Sequence, residues 1–157
     1  MAGQDAYSFF KGQQKPKAQE PRTPERGEVR VDCYKAVVPK FKVQNPGAHF
    51  EEITATVKNP LSPTWKLLMR YKPPHNLPFK PDQFAAYLAE LEPQLRKSRA
   101  AMLRLYELAT MVRSGKTVFL VCYEIDPGQC HRSLVKRMLE EVLPDDEYTL
   151  LGEMLDQ

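Results

Sequence analysis

The chain has 157 residues, 42% hydrophobic and 27% charged, with a formal net charge of +3. That is enough chain for one domain with its own core, and the absence of a run of eighteen apolar residues argues against a membrane-spanning helix. The mild positive charge permits an anionic partner without demanding one, and three cysteines (Cys33, Cys122, Cys130), which cannot all pair with one another, suit a reducing compartment.

Residues 1–28 are predicted to be a disordered or weakly docked tail. From Lys11 to Gly27 the sequence is Lys, Gln, Pro, Glu and Arg with almost nothing apolar, too little to offset the entropy of ordering. Tyr7, Phe9 and Phe10 are its candidate anchors. No continuous apolar leader opens the chain, so a cytoplasmic protein without membrane association is expected. A single α/β domain is predicted over residues 29–157.

The domain opens on "EVRVDCYKAVV", whose alternation predicts a strand. An Asn45-Pro46-Gly47 turn follows, and the β-branched run Ile53–Val57 predicts a second strand. One or two helical turns are expected from Pro63, and then a loop, because "KPPHNLPFKP" holds four prolines in ten residues. A helix capped by Asp82 is predicted up to Pro93, with a second helix beyond it to about Arg113, stopped by Gly115. Their methionines and aromatic residues read as core.

"TVFLVCYEI" is nearly continuous apolar sequence, the pattern of a strand covered on both faces in the middle of a parallel sheet. Leu134, Val135, Met138, Leu139 and Val142 then recur at helical spacing, Pro144 ends that helix, and Tyr148 to Leu151 predicts a last strand. Alternating strands and helices of these lengths predict a three-layer open sheet, mostly parallel, with helices on both faces. Ligands of such sheets bind at the carboxyl ends of the strands. The loop from Glu124 to His131 lies at such an end.

That loop concentrates the chemistry. Alternation puts Cys122 and Glu124 on one face of the strand, while Cys130, His131 and Arg132 fall at a helix start, where free N–H groups favour negative charge. Cys130 there is the candidate nucleophile, with a depressed pKa, and Glu124 and His131 are candidate proton carriers. Arg132 can fork onto a phosphate or carboxylate. Bland readings stand beside these: Cys122 as a small core residue, Cys130 as structural, His131 as a cap, and Glu124 with Arg132 as an internal ion pair. Cys122, Cys130 and His131 could also be three metal ligands. The cysteines are far apart in sequence, and adjacent Cys and His seldom reach one ion, so no metal and no other cofactor is expected. Six residues separate Cys130 from Arg137, one too many for a Cys-x5-Arg phosphatase loop. "RSGKT" precedes a strand, where a phosphate loop precedes a helix.

The strand ending in Cys122-x-Glu124, the turn at Pro127 and the Cys130-His131-Arg132 helix start together resemble the hallmark of the family called domain of unknown function 488. A weaker similarity covers "TATVKNPLSPTW". There Thr56, Val57 and Lys58 stand where the family often has Asp-Val-Arg, followed by Pro60 and Ser62. The resemblance implies a three-layer α/β fold with a shared pocket, and it adds Lys58 and Ser62 to Arg132 as candidate binding residues. It implies no particular reaction. Two functions follow as expectations. One is an enzyme acting on a phosphate-bearing small molecule or a nucleic-acid-related substrate. The other is a non-catalytic module that binds nucleotide or nucleic-acid phosphate at the same anion-facing loop.

Overall fold

The computed structural model describes residues 26–72 and 78–144. In chain order these form strand β1 (Val29–Arg30), a 3-10 turn (Lys35–Val37), helix α1 (Val38–Gln44) and strand β2 (His49–Glu52). Helices α2 (Trp65–Tyr71), α3 (Pro81–Lys97) and α4 (Arg99–Arg113) follow, then strand β3 (Val118–Val121), a second 3-10 turn (Pro127–Gln129) and helix α5 (Arg132–Val142). The sheet is parallel, in the order β1-β3-β2, with Val29 and His49 both in register with Val118. The fold is α/β with helices around a parallel sheet, as predicted. None of the described helices is long and apolar enough to cross a membrane.

The apolar run in β3 earns its central place by alternation. Val118 and Leu120 join the large core with Leu91, Leu95, Leu105, Leu108, Leu134 and Met138 from α3, α4 and α5. Phe119 and Val121 enter a separate cluster with Cys33 and with Val38 and Phe41 of α1. The two faces of one strand thus feed two cores, which is why it carries no polar residue. On the α1 side, Phe50 stacks on Phe119 at 4.8 Å between ring centroids, and Phe41 meets the same ring edge-on at 5.6 Å. Full burial of a side chain such as Phe119 contributes on the order of 1.5–3 kcal/mol through removal from water.

Several boundaries differ from the sequence expectation. "EVRVDCYKAVV" yields a strand of two residues and then turns into α1, because Pro39 in the first helical turn starts a helix where alternation suggested more strand. The second strand is His49–Glu52 and precedes the β-branched run. Its polar appearance is deceptive, since Glu51 and Glu52 are both held by partners. Pro93 lies inside α3 and does not end it. The residue is exposed, so the carbonyl it frees one turn back faces water. The break falls at Ser98, whose Oγ accepts from the Ala101 amide at 3.1 Å and caps α4. The N-cap of α3 is Lys80, and Asp82 is already helical. Gly115 ends α4 with φ of 103°, as expected.

Residues just before Val29 are hydrogen-bonded to the rest of the domain. The Gly27 amide donates to the Val112 carbonyl at 2.8 Å, and the Glu28 carbonyl accepts from Val118. The expected anchors Tyr7, Phe9 and Phe10 and the expected strand from Tyr148 lie outside the described residues.

Candidate functional site

The carboxyl end of β3 is tied to both neighbours. Tyr34 bridges Cys122, the Lys35 amide donates to the Cys122 carbonyl at 2.8 Å, and the Ile53 amide donates to the Val121 carbonyl at 2.9 Å. Beyond this point the chain leaves the sheet through an Asx turn, in which Asp126 Oδ1 accepts from the Gly128 amide at 2.8 Å. The 3-10 turn then folds Cys130 and His131 back against the strand end. His131 is the N-cap residue of α5, and Cys130 is extended before it.

Arg132 holds this fold-back in place. Its guanidinium is fully buried and donates to the Cys33 carbonyl at 2.9 Å, to the Glu124 carbonyl at 2.5 Å and more weakly to the Ile125 carbonyl at 3.4 Å. One side chain therefore joins the segment after β1 to the segment after β3. The ion pair with the Glu124 carboxylate, one reading of the sequence, is not formed. Arg132 takes the backbone of Glu124, and Lys72 takes its side chain, Nζ to Oε2 at 2.5 Å.

A cavity of about 410 Å³ opens over this junction. Cys122, Cys130 and His131 line it together with Glu124 and Lys72, and aromatic walls come from Trp65, Phe79, Tyr87 and Tyr123. Gln129 steadies one wall, accepting from the Phe79 amide at 2.9 Å, and the Lys72 ammonium lies 5.1 Å from the centre of the Phe79 ring. Burial pushes the Tyr87 phenol well above its ordinary value, so it stays protonated.

Sulfur chemistry dominates the cavity floor. Cys122, Cys130 and His131 are all buried, and their ligand atoms lie within 4.8 Å of one another, with Cys130 Sγ 3.6 Å from His131 Nδ1. The expectation that Cys130 is the activated thiol is reversed here. Burial, reinforced by the neighbouring Cys122, raises the Cys130 thiol well above the usual value and outweighs the pull of Arg132. Cys122 is the sulfur held low, first by the hydrogen bond from Cys130, against the cost of burial, and then by His131. The two share what is in effect one early-leaving proton. Cys33, the third cysteine, is buried in the α1-side cluster and does not line the cavity.

Of the residues marked in the sequence, Glu124, Cys130 and His131 converge on the cavity. Arg132 lies behind it, and Lys58 and Ser62 are not among its lining residues. Lys58 is exposed, whereas Ser62 Oγ is buried without a hydrogen-bond partner among the described residues. Their loop is organised from below by Asn59, which donates to Glu51 Oε2 at 2.8 Å and to the Glu52 carbonyl at 3.0 Å. From the sequence Cys122 reads as a small core residue, and its alternation with Glu124 is the signal that places it on the cavity side. Lys72, Trp65, Phe79 and Tyr87 carried none, because they arrive from α2, α3 and the segment between them, whereas Tyr123 sits inside the motif.

No curated protein and no solved structure matches the chain. A family model does, the one described as the active DUF488-N3 subclade, over residues 20–143. That match spans both the cavity-lining elements and the sheet beneath them, and the chain belongs to the DUF488-N3a family.

Proposed function

We propose that the chain is a thiol-centred enzyme acting on a small molecule with a flat, nucleobase-like group. One observation carries the reading: a cluster of two thiols and an imidazole forms the floor of a cavity whose walls are aromatic. Aromatic faces around a flat group supply stacking and exclude water, and a buried polar cluster beneath supplies reactivity. The match to a subclade described as active supports an enzyme over a passive module.

In this reading Cys122 is the nucleophile, because its sulfur lies within 4.8 Å of the Cys130 and His131 ligand atoms, which hold its thiol below the ordinary value. Its Sγ forms a bond to an electrophilic carbon as that carbon's bond to the leaving group breaks. The leaving group departs with the bonding pair and takes a proton from the Lys72 ammonium. Glu124, 2.5 Å from that ammonium, balances its charge. Glu124 then accepts a proton from the water that cleaves the S–C bond, which regenerates the thiolate, and passes that proton to Lys72, which restores the ammonium and the carboxylate.

Phosphate contributes little to recognition in this account. Among the described residues Lys72 is the only lysine or arginine lining the cavity, and Glu124 already holds it. Trp65 is the chain's single tryptophan and lines the cavity, so its fluorescence reports occupancy directly. Titration with a purine nucleoside and with its monophosphate should quench Trp65 with affinities within about threefold of each other. No quenching by either would sink the proposal. Binding of the monophosphate alone would favour the phosphate-binding module.

A further inference from the structure

We propose that Cys122, Cys130 and His131 form a binding site for one soft or borderline metal ion, Zn²⁺ in the first instance, with its fourth coordination position open to the cavity. The site shares the cavity of the preceding reading but does not depend on the thiol reaction. Metal-loaded and thiol-reactive states are mutually exclusive, because a metal-bound sulfur is no longer the free nucleophile.

The donor geometry fits. Zinc bonds of about 2.3 Å to sulfur and about 2.0–2.1 Å to nitrogen, at tetrahedral angles, place sulfur and nitrogen about 3.5 Å apart and two sulfurs about 3.8 Å apart. Cys130 Sγ and His131 Nδ1 stand 3.6 Å apart, and all three ligand atoms lie within 4.8 Å of each other. A set of two thiols and an imidazole selects zinc or copper over magnesium or calcium, which need oxygen ligands.

Three further features point the same way. His131 is 2% exposed, its Nδ1 meets only Cys130 Sγ and its Nε2 has no hydrogen-bond partner among the described residues, so neither ring nitrogen is committed to a group outside the cluster. The three residues also line one cavity, which gives a bound ion room for a water or an incoming ligand. Finally, the scaffold is fixed before any ion arrives. Arg132 ties the chain after β3 to the helix that follows His131, so Cys122 and the Cys130–His131 pair cannot drift apart cheaply. The wide sequence spacing of the cysteines is thereby closed by the fold.

On binding, each thiol that enters as S–H releases its proton to solvent and donates a sulfur lone pair to the ion, with no change of oxidation state. The test uses the full chain, stripped with a chelator and titrated with Zn²⁺ against a competing indicator and separately with Co²⁺. One ion per chain is expected, and Co²⁺ should give the intense visible bands of a tetrahedral ion with thiolate charge transfer in the near ultraviolet. Cys122→Ser and His131→Ala should each weaken binding by at least about tenfold, and Cys33→Ser should leave it unchanged. Zn²⁺ should also protect Cys122 and Cys130 from iodoacetamide. A weak octahedral Co²⁺ spectrum, or Zn²⁺ binding no tighter than to the Cys122→Ser, Cys130→Ser double variant, overturns the proposal. The Co²⁺ spectrum of the unaltered protein decides the matter even where a variant fails to fold. No metal binding with Cys122 still the preferred alkylation site refutes the metal site alone. Metal binding with Cys122 inert in the metal-free protein refutes the thiol enzyme alone.

Discussion

Replacing Arg132 with alanine separates a ligand clamp from a structural clasp. The guanidinium makes two good hydrogen bonds, at 2.9 Å to Cys33 and 2.5 Å to Glu124, while the third, at 3.4 Å, is too long to count for much. Hydrogen bonds to a charged group contribute about 1.5–3 kcal/mol each, so the gross loss is about 3–6 kcal/mol. Relief from burying a charge that is fully out of solvent returns part of this. A net destabilisation of about 2–4 kcal/mol remains, comparable to removing a large core side chain. With a urea slope of about 2 kcal/mol per molar, the midpoint falls by about 1–2 M. Arg132→Lys should recover a minority of the loss, since one ammonium cannot span carbonyls on two segments. The assay is equilibrium urea unfolding followed by circular dichroism, run beside a Trp65 fluorescence titration at low urea. A midpoint shift below about 0.3 M, together with lost affinity for an anionic ligand, would refute the clasp and restore Arg132 as an anion-binding residue.

Three other changes probe the frame around the site. Glu51 is 4% exposed, and its carboxyl is held down to about 2 from an ordinary 4.5: burial opposes the charge, but hydrogen bonds from Arg104, His49 and Asn59 outweigh it. A depressed carboxylate stabilises the fold fully above its unfolded pKa. About 3 kcal/mol should therefore be lost as pH falls from about 4.5 towards 2, and Glu51→Gln should flatten that part of the stability profile. Ser98→Ala removes the cap of α4 and should cost about 1 kcal/mol, seen as a fall of about 2–4 °C in Tm. Gly27→Ala should destabilise by at least about 1 kcal/mol in the same thermal scan, because a Cβ there would lie 2.0 Å from the Lys116 carbonyl oxygen. An unchanged Tm would mean that the segment before β1 is not packed as described.

The centre of the sheet was legible in the sequence because β3 is buried on both faces and leaves no polar residue to confuse the pattern. Its flanking strands were legible only in part. Alternation marked β1 but overran its two residues into α1, and β2 hides behind Glu51 and Glu52, whose charges are paired by residues up to 53 positions away. Pro93 misled for a related reason, since the cost of proline inside a helix depends on whether the freed carbonyl reaches water. At the site, the Cys-His-Arg motif points to a loop that lines the cavity, without separating the surroundings of its residues. Sequence places Cys130 and Arg132 alike at a helix start. In the fold, burial raises the Cys130 thiol, neighbouring Cys130 and His131 lower Cys122 against the cost of burial, and Arg132 turns towards carbonyls. Lys72 reaches Glu124, 52 positions further along the chain, a pairing without local signature.

As proposed, Cys122, supported by Cys130 and His131, carries the reactive sulfur of the aromatic-walled cavity. Brief treatment of the metal-free chain with substoichiometric iodoacetamide at neutral pH, followed by peptide mapping, tests this role. Carboxamidomethylation is expected at Cys122 first, Cys130 later, Cys33 essentially untouched, with slower labelling of Cys122 when a nucleoside is present. Labelling of Cys130 ahead of Cys122, or equal labelling of all three cysteines without protection by the nucleoside, would contradict it.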